Sequence, residues 1–169
     1  MTTYTMSYAD SEQLYMAHSL TRGELSEIQA LGGLTAKKTM TFAGGTVNDP
    51  GDFDGTGNPA TLFTVSGGMV SVKLYARVTT ALVGATATVE VGTTVSTTSL
   101  IPLTTGTNMA INEIWNDATP DTGADADSTL KIVSQSIIQT VRTANITAGV
   151  IEYIALWKPI TEGATLVAA

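Results

Sequence analysis

Residues 69–79 read MVSVKLYARVT. In an extended chain Val70, Val72, Leu74, Ala76 and Val78 point one way, and Ser71, Lys73, Tyr75, Arg77 and Thr79 the other. A period of two with apolar residues on one side marks a strand buried on one face and wet on the other, the usual pattern of an antiparallel sheet. Residues 85–91, ATATVEV, repeat it with Ala85, Ala87, Val89 and Val91 inward. The link between the two runs is short and holds Gly84, which predicts a hairpin. Gly67-Gly68 predicts a second hairpin, joining ATLFTVS at 60–66 to the long strand.

Further strands are expected around Thr39–Ala43, Met109–Trp115, Leu130–Ser134 and Ser136–Thr143. Residues 149–158, GVIEYIALWK, are apolar on both sides, with Ile151, Tyr153, Ala155 and Trp157 on one and Ile154 and Leu156 on the other. Such a strand belongs at the centre of a sheet or at a subunit contact. The chain holds 30 threonines, and β-branched side chains suit a pleated surface. Short strands punctuated by glycine predict a mainly β fold, an antiparallel sandwich or jelly-roll-like barrel, over residues 35–169.

The first 34 residues differ in texture and predict a short helical arm. Thr21-Arg22-Gly23-Glu24 is a capping box, Leu25, Ile28 and Leu31 share a face, and Gly32-Gly33 supplies a stop. Asp10–Leu20 is a second short helical stretch, with Leu14, Tyr15 and Met16 as its apolar patch. Helices this short need a surface to dock on.

The totals narrow the function. Only 14% of the 169 residues are charged, against about 25% in ordinary globular chains. So uncharged a surface favours a chain that hides part of it in an assembly. The net charge is −7 and the eight basic residues are scattered, so no nucleic-acid groove is expected. Cysteine is absent, which removes disulfides and thiolate chemistry. The start, MTTYTMSYAD, lacks a secretory pattern and no apolar run approaches membrane-spanning length; the expectation is a soluble protein made in the cytoplasm, without a membrane partner.

Candidate chemistry is thin. In DPGDFDGTGNP, residues 49–59, Asp49, Asp52 and Asp54 are spaced like the start of a calcium loop, yet no Glu follows until Glu90 to close one. Asp, Gly, Pro and Asn are also what turns demand, and a solvated turn is the expectation. A second acidic run, DATPDTGADADS, with Asp117, Asp121, Asp125 and Asp127, reads as a solvated loop. His18 is the only histidine and has no nucleophile motif beside it. Glu90, Glu113 and Glu152 sit in expected strands, where two carboxyl groups of a glycosidase could converge. Glu90 belongs to an outward threonine face, and Glu152 is expected to pair with Arg142 or to face a partner. No enzyme activity, metal or cofactor is expected.

Four stretches carry a resemblance: FAGGTVNDPGDFDGTGNPATLFTVSGGMVSVKLYARVTTAL, GATATVEVGT, INEIWND and NITAGVIEYIALWKPI, which lie between Phe42 and Ile160. Together they resemble β-rich virion proteins of tailed bacteriophages, especially small head decoration or cement proteins. The resemblance implies a β domain, often a homotrimer, that binds the major capsid protein on the outside of the expanded head. On that reading Tyr8, Leu14, Tyr15, Met16, Leu25 and Ile28 form an arm reaching a neighbour, and the strand with Tyr153 and Trp157 anchors the body or the trimer. Another virion part (tail, baseplate or fibre base) shares the same composition, and a carbohydrate-binding or hydrolytic β domain is the third alternative.

Overall fold

The structure, a computed structural model, describes residues 33–44, 47–122 and 129–169. The chain divides into two units, Met1–Gly33 and Leu34–Ala169, and the second is the β domain. The two expected helices, His18, Asp125, Asp127 and the arm residues Tyr8, Leu14, Tyr15, Met16, Leu25 and Ile28 lie outside the described residues.

Among the described residues ten strands follow in chain order: β1 Leu34–Phe42, β2 Ala60–Ser66, β3 Val70–Val83, β4 Thr88–Gly92, β5 Ile101–Thr105, β6 Ile114–Trp115, β7 Lys131–Val133, β8 Ile137–Arg142, β9 Ala148–Pro159 and β10 Thr165–Ala168. They form two antiparallel sheets. The first, sheet A, has the order β1-β9-β3-β6, with β7 also paired to β3; the second, sheet B, has the order β10-β2-β8-β4-β5. The pairs β1·β9, β2·β8, β3·β6 and β4·β5 are nested one inside the next and alternate between the sheets. That nesting is the jelly roll. β7 and β10 are additions at the margins.

The alternation read from residues 69–79 holds: Val70, Val72, Leu74, Ala76 and Val78 are all buried, while Lys73 and Arg77 are exposed. β9 is the central strand of sheet A, between β1 and β3. Its inward residues Ile151, Tyr153, Ala155 and Trp157 meet Phe63, Val89, Val91, Ile137 and Val141 from sheet B in one apolar core. Burying each large apolar side chain contributes about 1.5–3 kcal/mol, so these inward rows hold the sheets together.

Neither expected hairpin forms. β2 lies in sheet B and β3 in sheet A, so Gly67-Gly68 carries the chain across the sandwich. Both glycines have positive φ, 73° and 134°, and a Cβ on Gly68 would stand 2.5 Å from the Thr161 side chain. Likewise the link at Gly84 crosses from β3 to β4, whose partners are β5 and β8. The physical reason is common to both. Two strands with one apolar face bury the same residues whether they pair edge to edge or stack across a core, so local pattern does not separate the cases. β5 and β10 went unforeseen, and the strand expected over 109–115 shrinks to Ile114–Trp115 behind a 3-10 turn at Gly106–Asn108.

Two polar bridges cross the core. The Tyr153 hydroxyl on β9 donates to Gln139 Oε1 on β8 at 2.7 Å, and Gln139 Nε2 donates to the Pro50 carbonyl at 3.2 Å. The Trp115 indole on β6 donates to Thr104 Oγ1 on β5 at 2.9 Å. The Trp115 and Tyr153 rings meet edge to face, with centroids 6.3 Å apart. Burial pushes the Tyr153 phenol well above its ordinary value near 10. Tyr153→Phe is expected to cost about 1–3 kcal/mol at neutral pH in chemical denaturation, because Gln139 Oε1 loses its donor. The pH sign follows from the raised phenol. Below about pH 10 both states keep the proton; above it the unfolded chain releases the proton and the folded one does not. Stability therefore falls as pH rises, by up to about 1.4 kcal/mol per unit, and Tyr153→Phe should lose less per unit than wild type.

Candidate interaction surface

The aspartate loop is a turn, and it is solvated only in part: Phe53, Asp54, Thr56 and Pro59 are exposed. Asp49 and Asp52 are buried. Asp49 Oδ2 accepts the N–H groups of Ala43 at 2.9 Å and Gly44 at 2.7 Å, and Oδ1 accepts that of Gly51 at 2.8 Å. The carboxylate thus pins the chain leaving β1 to the loop that follows. Ile146 N–H donates to the Gly51 carbonyl at 2.8 Å, so the loop is laid against the β8–β9 connection. A Cβ on Gly51 would stand 2.3 Å from the Ile146 oxygen, which is why glycine occupies the position. Asn58 caps the other end: its side-chain amide donates to the Val141 carbonyl at 2.8 Å and accepts the Val141 N–H at 2.9 Å, as a paired strand would. Among the described residues no group of three or more acidic or histidine side chains gathers as metal ligands.

The three glutamates do not share a cleft. Glu90 is buried on the outer side of sheet B, against expectation, and Arg142 Nε holds its Oε1 at 2.9 Å. Arg142 stands beside it because Thr88, two residues before Glu90, is in register with Arg142 on β8. Glu152 lies on the outer side of sheet A, and its partner is not Arg142. Arg77 Nη2 is 3.0 Å from its Oε2 and Lys37 Nζ is 3.9 Å from its Oε1. Glu113 accepts the Ala110 N–H and closes its own turn. Glu90 and Glu152 therefore point away from each other across the sandwich.

Tyr153 and Trp157 turn inward and are buried, so their side chains anchor the body. The surface offered by the same strand comes from the other parity. Cross-strand partners share a face, and the register fixes the rows on the outer side of sheet A. Glu152 lies between Thr39 and Arg77; Ile154 lies between Lys37 and Tyr75; Leu156 lies between Thr35 and Lys73. Next, Ser71 lies between Lys158 and Ile132. Met69 and Ile160 continue the alternation just past the strand ends, where the Met69 carbonyl accepts the Ile160 N–H. Ile132 is 65% exposed, Met69 45% and Ile160 48%. An outer sheet face would ordinarily be polar; here its central strand places Ile154 and Leu156 in the middle.

Cations surround that apolar centre. Lys37, Lys73, Arg77 and Lys158 are half of the eight basic residues of the chain, and they share this face with Glu152. Asp121 stands at the margin, bridged to Ile114. Scattered in sequence, these cations meet because they hold one parity on three adjacent strands. The available signal was the spacing of Lys73 and Arg77, but nothing local says which strands lie beside them.

The β1 and β7 margins of sheet A each carry a lysine of the opposite, inward parity. On β1, Lys38 pairs in register with Tyr153 and its amino group reaches the Ala169 carbonyl. On β7, Lys131 pairs with the fully buried Val72. An inward charge on an edge strand opposes edge-to-edge pairing with another sheet.

Asp49→Ala strands three peptide N–H groups, and urea unfolding should show a loss of about 2–4 kcal/mol. The two faces of β9 should separate cleanly. Ile151→Ala, on the core side, is expected to cost about 2–5 kcal/mol, and Leu156→Thr, on the outer side, about 1 kcal/mol or less. Thermal melts of the two variants check this. No family model, no curated protein and no solved structure matches this chain.

Proposed function

We propose that this protein is a virion component of tailed bacteriophages that decorates the head, bridging major capsid proteins from outside and stabilising the shell without making or breaking a bond. The observation that carries the reading is the outer face of sheet A, with Ile154, Leu156 and Tyr75 at its centre and Lys37, Lys73 and Arg77 around them. A buried apolar centre within a polar rim is how protein contacts are built, with Tyr, Met and Arg enriched in them. The sequence resemblance between Phe42 and Ile160 supplies the setting. The jelly roll agrees with it, since capsid proteins use that architecture; so do lectins, and fold alone does not assign function.

The mechanism is linkage. A protein that binds the assembled shell and not its separated subunits stabilises the shell by mass action, about 2.7 kcal/mol per site at a hundredfold excess over Kd. A homotrimer would add avidity, because the second and third contacts become intramolecular.

Purified protein mixed with undecorated heads should pellet with them and raise the temperature at which they release DNA. Labelled protein in whole particles should spread over the head. Label confined to the tail would replace this reading with a tail, baseplate or fibre-base role, and catalytic turnover of a glycan would replace it with a hydrolytic one.

A further inference from the structure

We infer that the outer face of sheet A docks, face on, against a protein surface that is apolar at its centre and acidic at its rim. This rests on the decoration reading, under which that surface belongs to the capsid exterior. Three observations lead to it. The face holds four cations against Glu152, with Asp121 at the margin, in a chain whose net charge is −7. The remainder of the molecule is therefore more acidic than the whole, and this is the side an acidic partner would meet. Lys38 and Lys131 oppose extension of the sheet at β1 and β7, and at β6 Ile114 is already bridged to Asp121, so a partner strand is not expected to extend the sheet. Contact must then be made with the face, where Ile132, Met69 and Ile160 stand well exposed beside the half-buried Leu156.

Other occupants fit less well. A second copy presenting the same face would bring two sets of cations together, and like charges across an interface oppose association. Nucleic acid would need a groove of cations that tracks phosphates, whereas here Ile154 and Leu156 separate Lys37 from Lys73. The Glu152 clasp also has a place in this arrangement. It draws Arg77 at 3.0 Å and Lys37 at 3.9 Å from the two strands that flank its own, while cancelling only one of their charges, which favours the rim's arrangement before contact.

The test uses the whole protein and purified undecorated heads of the phage that encodes it, with binding measured by co-sedimentation across salt. Wild type should bind more weakly as salt rises from about 0.05 M to about 0.5 M, because exposed charges are screened over that range. Lys37→Glu with Lys73→Glu should raise Kd about tenfold or more at low salt, with the gap to wild type closing at high salt. Ile132→Ser should weaken binding at every salt concentration. Lys131→Glu, at the margin, should bind as wild type does. If the double variant does not fold, the salt slope of wild type and the Ile132→Ser result still decide: salt-independent binding with no effect of Ile132→Ser overturns the proposal. Equal binding by wild type and the folded double variant overturns this surface and leaves the decoration reading standing. Failure of wild type to bind any head overturns both. Tighter binding to a DNA duplex than to heads, or self-association abolished by the double variant, overturns it in favour of nucleic acid or a second copy.

Discussion

The two sheets are held in one relative position by polar groups that cannot reach water. Tyr153 O–H, Gln139 and the Trp115 indole are buried, and each loses a hydrogen bond if the sheets slide. Apolar contacts tolerate small shifts, whereas a buried donor without an acceptor costs as much as several methyl groups gain. The Tyr153–Gln139–Pro50 chain also ties the aspartate loop to the core, and Asp49 ties that loop to the end of β1. The aspartate loop, the stacking of the sheets and the exit of β1 thus form one connected polar assembly. Removing its charged member disturbs the backbone of two segments that share no strand pairing.

That assembly explains what residues 49–59 are for. Their composition fits a turn, a cation loop or a solvated tip equally well, because all three want carboxylates, glycines and tight bends. What separates them is where the carboxylate oxygens find hydrogen. Here peptide N–H groups from both sides of the loop converge on Asp49, and Asn58 imitates a strand against Val141.

The alternation of the long strands was legible in the sequence because it depends only on which side of a strand faces the core. β3 and β9 were recognisable for that reason, and so was the double-sided apolar pattern that places β9 at the centre. Strand neighbours were not legible. Turns at Gly67-Gly68 and Gly84 look like hairpins locally, but in a nested topology they carry the chain from one layer to the other. β5 contains Pro102 and only five residues, too little pattern to register as a strand. Glu90 shows the same limit from another side. Its parity is outward as expected, but Arg142 and the neighbouring strand cover it. The cationic face shares this limit, since four basic residues spread between positions 37 and 158 become a patch only once β1, β9 and β3 are known to be adjacent.

The nesting has a consequence for how the chain is made. Leu34 pairs with Trp157 and Phe42 with Gly149, so β1 waits for β9. Until the ribosome has released that segment, β1 and β3 both lack the strand that lies between them, and the inner rows of sheet A stand open to water. Long-range pairing of this kind makes for slow closure and for a nascent chain that is sticky while it waits. The inward lysines on β1 and β7 would then serve a second purpose, keeping half-finished sheets of neighbouring nascent chains apart.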